Sequence, residues 1–124
     1  MRPKPLIAVV DDDEIVRETT KDLLQSAGFS AATFPSAESL LDSKRLDRVC
    51  CLIADMRMPG MSGLALHQQL VAANRSIPTI LVSAYLDERL AAQALKARVV
   101  CCLSKPIGAA ELLTYVRRIL RRQG

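Results

Sequence analysis

The sequence predicts an α/β fold in which a five-stranded parallel sheet is doubly wound, with helices on both of its faces. The first observation is a set of short apolar runs, such as Leu6–Val10, of the kind found in strands that are buried on both faces. The second is that each run is followed by a segment whose apolar residues recur at helical spacing. Because strand and helix alternate five times within 124 residues, a single doubly wound domain is the expected arrangement.

Turn and capping residues separate the predicted elements. Gly28 is a suitable residue to end the first helix, and Ser36 is a suitable N-cap for a short second helix. The predicted strands are Leu6–Val10, Ala31–Phe34, Cys50–Ala54, Pro78–Ser83 and Val99–Leu103. The predicted helices run from the acidic residues after the first strand to Gly28, from Ser36 to Leu41, and over Leu64–Ala73, Asp87–Ala97 and Ala109–Arg121.

The composition is typical of a packed globular domain, since 50% of the residues are apolar and 24% are charged. No apolar run approaches the ~20 residues of a membrane span. Met1–Pro5 is too short and too polar for a signal peptide. We therefore expect a soluble, cytoplasmic protein that forms one domain over residues 1–124, with its core at 6–120 and no membrane partner.

Two adjacent cysteine pairs, Cys50-Cys51 and Cys101-Cys102, lie in the third and fifth predicted strands. Adjacent strand residues point to opposite faces, so neither pair readily binds one metal ion, and neither has C-x-x-C spacing. We expect small buried side chains without disulfides.

Much of the net charge of +4 comes from the last predicted helix. The apolar residues of this helix recur at helical spacing, so its basic residues occupy the opposite face. No aromatic or glycine residues interleave with them, which favours a solvated face over a nucleic-acid or membrane surface. The basic residues are Arg117, Arg118, Arg121 and Arg122.

Polar residues that can carry chemistry fall at the ends of the predicted strands. Asp11 and Asp12 follow the first strand, and Asp55 follows the third. Ser83 stands at the end of the fourth strand, and Lys105 follows the fifth. Taken alone, each has an ordinary explanation as a cap, a turn residue or a solvated charge. Because ligands of parallel sheets bind at the carboxyl ends of the strands, we expect these five side chains to converge on one site.

Three carboxylates at one edge of a sheet require a counter-charge. Two carboxylates about 5 Å apart repel by roughly 3 kcal/mol at an effective dielectric constant of about 20. A ligand set made only of oxygens selects a hard divalent cation, Mg²⁺ or Mn²⁺, as in phosphoryl chemistry. With this cation, Lys105 and Ser83 would contact a phosphoryl group and Asp55 would act as the nucleophile.

Four motifs, VVDDDE, LIADMRMPGMSGL, TILVSA and LSKPI, resemble in order and spacing the receiver domain of two-component response regulators. The resemblance extends from Leu6 to about Leu120, and the RMPGMSG run is most similar to the FixJ-like branch of the CheY-like superfamily. It implies a flavodoxin-like (βα)5 fold with strand order 2-1-3-4-5. It also implies a signalling module, not an enzyme, that accepts a phosphoryl group from the phosphohistidine of a sensor histidine kinase and switches an interaction surface.

The resemblance assigns the phosphoryl chemistry to particular positions. Asp55 matches the phospho-accepting aspartate of the family. Asp11 and Asp12 match the acidic pair that binds Mg²⁺ together with Asp55. The backbone carbonyl of Arg57 would complete the protein ligands.

A second group of matched positions belongs to the transmission of the signal. Ser83 matches the hydroxyl residue that turns toward the phosphoryl group, and Lys105 matches the family's lysine. Pro106 is expected to follow a cis peptide bond, since the free-energy cost of the cis form is small only before proline. Cys102 stands where the family usually has Tyr or Phe, and Arg98 stands where it often has Gly. These two departures concern the switch between helix four and helix five, not the transfer of the phosphoryl group.

Other classes of function fit the sequence less well. A phosphatase of the haloacid dehalogenase type requires an acid two residues after its nucleophile, where this chain has Arg57. A flavin site would require a Ser/Thr/Gly-rich loop where this chain has DDDE. The remaining alternative is a receiver-like interaction module that is never phosphorylated. We expect Asp13 to cap the first helix and His67, the only histidine, to lie on the surface.

The resemblance also implies partners. FixJ-like receivers are typically joined to a helix-turn-helix DNA-binding domain. We therefore expect transcriptional control and DNA contact only through an output domain, which this chain does not include. The face formed by helix four and helix five is a common dimer surface in the family, so a homodimer through that face is a further expectation.

Overall fold

The computed structural model describes residues 5–123, with side chains as far as residue 121, and it contains the predicted parallel sheet. Neighbouring strands are parallel and lie in the order β2-β1-β3-β4-β5, as the resemblance implied. The strands are β1 Leu6–Val10, β2 Ser30–Phe34, β3 Val49–Asp55, β4 Thr79–Ser83 and β5 Cys101–Ser104. The helices are α1 Glu14–Ser26, α2 Ala37–Leu41, α3 Gly63–Ala72, α4 Glu88–Lys96 and α5 Ala109–Gln123, with a short 3-10 helix, Leu46–Arg48, before β3.

Helices cover both faces of the sheet, and each face has its own apolar core. Along β1, Ile7 and Val9 point into the core beneath α1 and α5. Ala8 and Val10 point into the core beneath α2, α3 and α4. Because both faces are buried, the strand sequence is continuously apolar and does not alternate with polar residues. The predicted doubly wound architecture is confirmed.

Strand β5 begins two residues later than predicted, because the preceding residues are used to end α4. Arg98 has a φ of 63°, in the left-handed region. The Arg98 N–H donates to the Leu95 carbonyl at 3.1 Å, and the Val99 N–H donates to the Ala94 carbonyl at 3.2 Å. These two bonds form a Schellman motif, which terminates a helix. Val99 was predicted as the start of the strand but belongs to this cap.

A β-bulge interrupts the pairing of β1 with β3. Leu6 pairs with Val49 and Ile7 pairs with Cys51, which leaves Cys50 as the extra residue. The Cys50 thiol donates to the Leu6 carbonyl at 3.4 Å. Cys50 and Cys51 pack against the same core, so the prediction that they point to opposite faces is wrong at this pair.

The prediction of opposite faces holds for the second pair, whereas the prediction of buried side chains holds only for Cys51, since the other three cysteines are partly exposed. Cys101 and Cys102 pack against opposite cores, and none of the four cysteines forms a disulfide. Burial raises the pKa of the Cys51 thiol and of the Cys101 thiol to about 12. Both thiols therefore stay protonated and unreactive near neutral pH.

The basic residues of α5 form a solvated face, as predicted. Arg117, Arg118 and Arg121 are exposed, whereas Leu112 on the other side of the helix is fully buried. The side chain of Arg122 lies outside the described residues. Within the described part of the chain, no helix has the length and apolar character that crossing a membrane requires.

Candidate functional site

The predicted site residues meet at the carboxyl edge of the sheet. Asp11 directly follows β1, and Lys105 directly follows β5. Asp55 and Ser83 are the last residues of the two strands between them in the sheet, β3 and β4. Asp11, Asp55 and Ser83 are buried, with exposed fractions of 4%, 7% and 2%. The parallel order of the strands therefore brings together residues that are up to 94 positions apart in the sequence.

Lys105 joins the two buried carboxylates of the site. The Lys105 Nζ lies 3.0 Å from Asp11 Oδ2 and 3.0 Å from Asp55 Oδ2. The other oxygen of Asp55, Oδ1, accepts a hydrogen bond of 3.1 Å from the backbone N–H of Arg57. One oxygen of Asp55 is therefore paired with an ammonium group and the other with a backbone donor.

Burial and charge shift two ionisation equilibria in this cluster. Burial raises the pKa of Asp11, and hydrogen bonds from the Asp13 backbone and from Lys105 oppose that rise without cancelling it. Burial on its own lowers the pKa of Lys105, but hydrogen bonds and charge from Asp11 and Asp55 outweigh it and raise that pKa. Lys105 is therefore a permanent cation in the physiological pH range.

The acidic side chains are close enough to share one cation. Carboxylate oxygens of Asp11, Asp12 and Asp55 all lie within 4.8 Å of one another. Three carboxylates and the single ammonium of Lys105 leave two negative charges uncompensated, which matches the charge of one divalent cation. A donor set made only of carboxylate oxygens fits Mg²⁺ or Mn²⁺. Asp12 is exposed, so the site opens to solvent.

Two glycines shape the loop that follows Asp55. Gly60 has a φ of 80°, a conformation that side chains rarely adopt. A Cβ atom at Gly63 would clash with the backbone carbonyl of Asp55. The glycines that follow Asp55 in the sequence thus let the loop turn back and bring the start of α3 directly against β3.

The residues predicted to transmit a signal lie on β4, on β5 and just after β5. Ser83 Oγ accepts a hydrogen bond of 3.1 Å from the backbone N–H of Tyr85. Cys102 is half-buried on β5, pairs with Leu81 and packs against the core beneath α4. Pro106 is exposed, and the Lys105–Pro106 peptide bond is cis, as expected.

The prediction for Asp13 is confirmed and the prediction for His67 is wrong. Asp13 is the N-cap of α1, and its side chain accepts hydrogen bonds from the Ile15 and Val16 N–H groups. His67 is only 4% exposed. Its Nδ1 lies 2.7 Å from the Thr79 hydroxyl, and its Nε2 lies 2.7 Å from the carbonyl of Ala97. Each ring nitrogen thus faces a polar partner, which makes the burial of the ring tolerable.

Two contacts beside the site were not foreseen from the sequence. The Arg17 guanidinium on α1 donates to the backbone carbonyl of Asp11 at 2.9 Å and thereby holds the loop after β1. The Arg57 guanidinium lies over the ring of Tyr85, with its carbon 5.3 Å from the ring centroid. Each contact joins separate segments of the chain, and the sequence carries no local signal for either.

Comparison with known proteins agrees with this fold and site. The family model for the response regulator receiver domain matches residues 7–117 of the chain. The chain therefore belongs to the response regulator receiver domain family, and the resemblance noted from its four motifs is confirmed.

Individual relatives come from bacterial regulatory proteins. The chain is 38% identical to the response regulator protein TodT of Pseudomonas putida over 116 residues, which cover 94% of this chain and 51% of that protein. It is 38% identical to the transcriptional regulatory protein FixJ of Azorhizobium caulinodans over 117 residues, covering 94% of this chain and 55% of that protein. The chain thus spans about half the length of these relatives.

Solved structures show the same fold. The response regulator StyR superposes with a TM-score of 0.87 and 41% identity, over 98% of this chain and 64% of that one. The structure described as FixJ-N superposes with a TM-score of 0.82 and 30% identity, over 96% of this chain and 94% of that one. The predicted five-stranded flavodoxin-like topology is confirmed by these neighbours.

Proposed function

We propose that this chain is a phospho-accepting receiver domain, that it occupies residues 1–124, and that Asp55 is the acceptor. The phosphoryl group comes from the phosphohistidine of a sensor histidine kinase, in a transfer that depends on Mg²⁺ or Mn²⁺. The domain assists its own phosphorylation and dephosphorylation but does not act as an enzyme on another substrate. Phosphorylation of Asp55 switches an interaction surface.

The observation that carries this proposal is the position of Lys105 between Asp11 and Asp55, at 3.0 Å from each. Burying an unpaired carboxylate costs free energy of folding. A structural role alone would therefore favour fewer acidic residues here. The cluster retains two uncompensated negative charges at an edge that is open to solvent, which suits a dication and an incoming phosphoryl group.

The roles of the side chains follow from their chemistry. A carboxylate oxygen of Asp55 forms a bond to phosphorus while the phosphorus–nitrogen bond of the donor breaks, and the donor imidazole keeps the electron pair of that bond. Lys105 contacts a phosphoryl oxygen and offsets its charge, and the hydroxyl of Ser83 donates to another. A divalent cation, held by Asp11, Asp12, Asp55 and the carbonyl of Arg57, supplies further charge neutralisation when it is bound.

The partners follow from the same proposal. A histidine kinase is the donor, and the protein acts in the cytoplasm. DNA is reached only through an output domain outside this chain, through which the receiver controls transcription. A homodimer forms through the face of α4 and α5, where Leu95 on α4 is 77% exposed and Val100, just before β5, is 41% exposed.

The test is intact-mass measurement after incubation with acetyl phosphate, with and without Mg²⁺. We expect the wild-type chain to gain the mass of one phosphoryl group only when Mg²⁺ is present. Asp55→Asn should gain none, because the amide is not a nucleophile at this position. Asp13→Asn is the matched control, since it changes an acid of the same loop but keeps a good N-cap. It should be labelled as the wild type is.

Absence of labelling in a folded wild-type chain would contradict the proposal if beryllofluoride also fails to bind. The chain would then be a receiver-like interaction module that is not phosphorylated. Equal labelling of Asp55→Asn would contradict the assignment of the acceptor. Beryllofluoride separates these cases from rapid hydrolysis, because its complex with a carboxylate does not hydrolyse as an acyl phosphate does.

A further inference from the structure

A contact between Arg57 and Tyr85 joins the two loops that flank the acceptor. Arg57 lies in the loop after β3, and Tyr85 lies in the loop after β4. The Arg57 guanidinium carbon is 5.3 Å from the centroid of the Tyr85 ring, within the range of a cation–π interaction. Both side chains are exposed, and Tyr85 is 70% exposed.

A second contact attaches Tyr85 to the same site. The Tyr85 backbone N–H donates to Ser83 Oγ at 3.1 Å. Arg57 contacts the proposed acceptor directly, because its backbone N–H donates to Asp55 Oδ1 at 3.1 Å. The backbone from which the Arg57 guanidinium extends is therefore fixed at the carboxylate that is proposed to accept the phosphoryl group.

A phosphoryl group on Asp55 would compete with the Tyr85 ring for the Arg57 guanidinium. It carries a charge of about −1.5 to −2 and presents oxygens that accept strong hydrogen bonds. Charge-assisted bonds from a guanidinium to phosphate oxygens are frequently bidentate and roughly twice as strong as neutral hydrogen bonds. A cation–π contact at an exposed site is weaker than such a pair because water screens it. The Arg57 side chain is long and flexible, and the backbone of Arg57 is already fixed beside the Asp55 carboxylate.

We propose that Arg57 is a further phosphoryl-binding residue, and that its movement from the Tyr85 ring to the phosphoryl oxygens releases Tyr85. This inference rests on the proposed phosphorylation of Asp55. The Ser83 hydroxyl can still accept from the Tyr85 N–H while it donates to a phosphoryl oxygen, so the Tyr85 backbone stays attached and the ring is what is released. The surroundings of the Tyr85 ring then depend on whether Asp55 carries a phosphoryl group. Because the ring is exposed, a partner can contact it.

The chain allows a direct test, because it contains two tyrosines and no tryptophan. The second tyrosine, Tyr115, lies on α5 against Arg118, away from the acceptor. In Tyr115→Phe, with labelled tyrosine, the NMR ring signals come from Tyr85 alone. We would record these signals, and the cross-peaks between the ring and the Arg57 side chain, in Mg²⁺ with and without beryllofluoride. Fluorine NMR of the bound beryllofluoride measures occupancy of Asp55 independently.

The expected result is that ring–guanidinium cross-peaks are present at rest and fall at least fivefold when beryllofluoride is bound. In Arg57→Gln, the ring signals should already lie near their released positions and should change by less than a third as much on binding. Arg89→Gln is the matched control, since Arg89 is an exposed arginine on α4. It should respond as the wild type does. Occupancy is measured for every variant, because the backbone of Arg57 belongs to the proposed cation site.

The outcomes distinguish this inference from the proposed function. If beryllofluoride binds while the cross-peaks persist, or if they are absent at rest, the inference is overturned and the proposed function stands. If beryllofluoride does not bind and acetyl phosphate does not label the chain, the proposed function fails and the inference fails with it.

Discussion

At the scale of single residues, the charge balance of the site depends on Asp11. Its carboxylate is 4% exposed and shares Lys105 with Asp55. Its pKa is raised by burial, so the folded protein binds a proton at Asp11 more tightly than the unfolded chain does. The stability that this preference supplies is fully present below the ordinary pKa of 3.8 and is lost as the pH rises through the folded-state pKa. Near neutral pH, the ionised form of Asp11 is therefore a cost to the folded state.

Asp11→Asn is expected to raise the free energy of unfolding by on the order of 1 kcal/mol in Mg²⁺-free buffer near neutral pH. Asn keeps the acceptor oxygen that binds the Asp13 N–H and removes the buried charge. Urea unfolding followed by circular dichroism, with a chelator present, measures the change. Mg²⁺ at a hundred times its Kd should stabilise the wild type by about 2.7 kcal/mol, and should stabilise the variant much less. A less stable variant without Mg²⁺ would show that the ion pair with Lys105 outweighs the cost of burial.

At the scale of the elements, three helices end in the same way. The residues just after the caps of α1, α3 and α4 are Gly28, Asn74 and Arg98, and all have positive φ, at 93°, 61° and 63°. In each case the next residue donates its N–H back to the last turn, which completes a Schellman motif. Glycine takes this conformation freely and asparagine tolerates it, but arginine carries a Cβ atom that disfavours it. The strain at Arg98 lies in the segment that joins α4 to β5.

Arg98→Gly should therefore raise the free energy of unfolding by about 1 kcal/mol, because it relieves the left-handed strain. The reverse control is Gly28→Ala, which should lower that free energy by a similar amount. A Cβ at Gly28 meets no atom within 4 Å, so no steric clash adds to the backbone strain there. Urea midpoints with unchanged slopes would measure both. Destabilisation by Arg98→Gly would mean that the arginine side chain makes a contribution larger than its strain.

At the scale of the whole molecule, the site and the proposed dimer face meet along α4. The helix starts near Ser83 and the loop of Tyr85, and its outer surface carries Leu95. Leu95 and Val100 form part of an apolar groove that also includes Cys102. In a symmetric dimer, each of these residues would be buried in both protomers.

We expect the chain to dimerise on binding beryllofluoride and Mg²⁺, and Leu95→Glu to weaken the dimer at least about a hundredfold, since two leucines lose their burial. Sedimentation velocity over a range of concentrations measures the dissociation constant. Val71→Glu is the control, because Val71 is 48% exposed but lies on α3. If Leu95→Glu dimerises as the wild type does, or if Val71→Glu abolishes the dimer, this face is not the interface.

The parts of the fold that were predictable are those with a local signal. Apolar runs and turn residues located the five strands, and the rule that ligands bind at carboxyl strand ends brought Asp11, Asp55 and Lys105 to one site. His67 was misjudged because its partners, Thr79 and Ala97, lie 12 and 30 residues further along the chain. The sequence around a polar residue on an amphipathic helix does not show that such distant partners exist. The Arg57–Tyr85 contact was missed for the same reason, since it forms between two loops.

The buried histidine has one more consequence, which concerns the number of hydrogens it requires. The Thr79 hydroxyl lies 2.9 Å from the Ile77 carbonyl as well as 2.7 Å from His67 Nδ1, and the Ala97 carbonyl can only accept from Nε2. Three hydrogen bonds therefore need three hydrogens, but one hydroxyl and a neutral imidazole supply only two. The single hydroxyl hydrogen of Thr79 therefore serves either His67 Nδ1 or the Ile77 carbonyl at any one time. His67 thus joins α3, β4 and the end of α4 at the edge of the sheet opposite to Asp55, through a hydrogen-bond network with one hydrogen fewer than its acceptors can use.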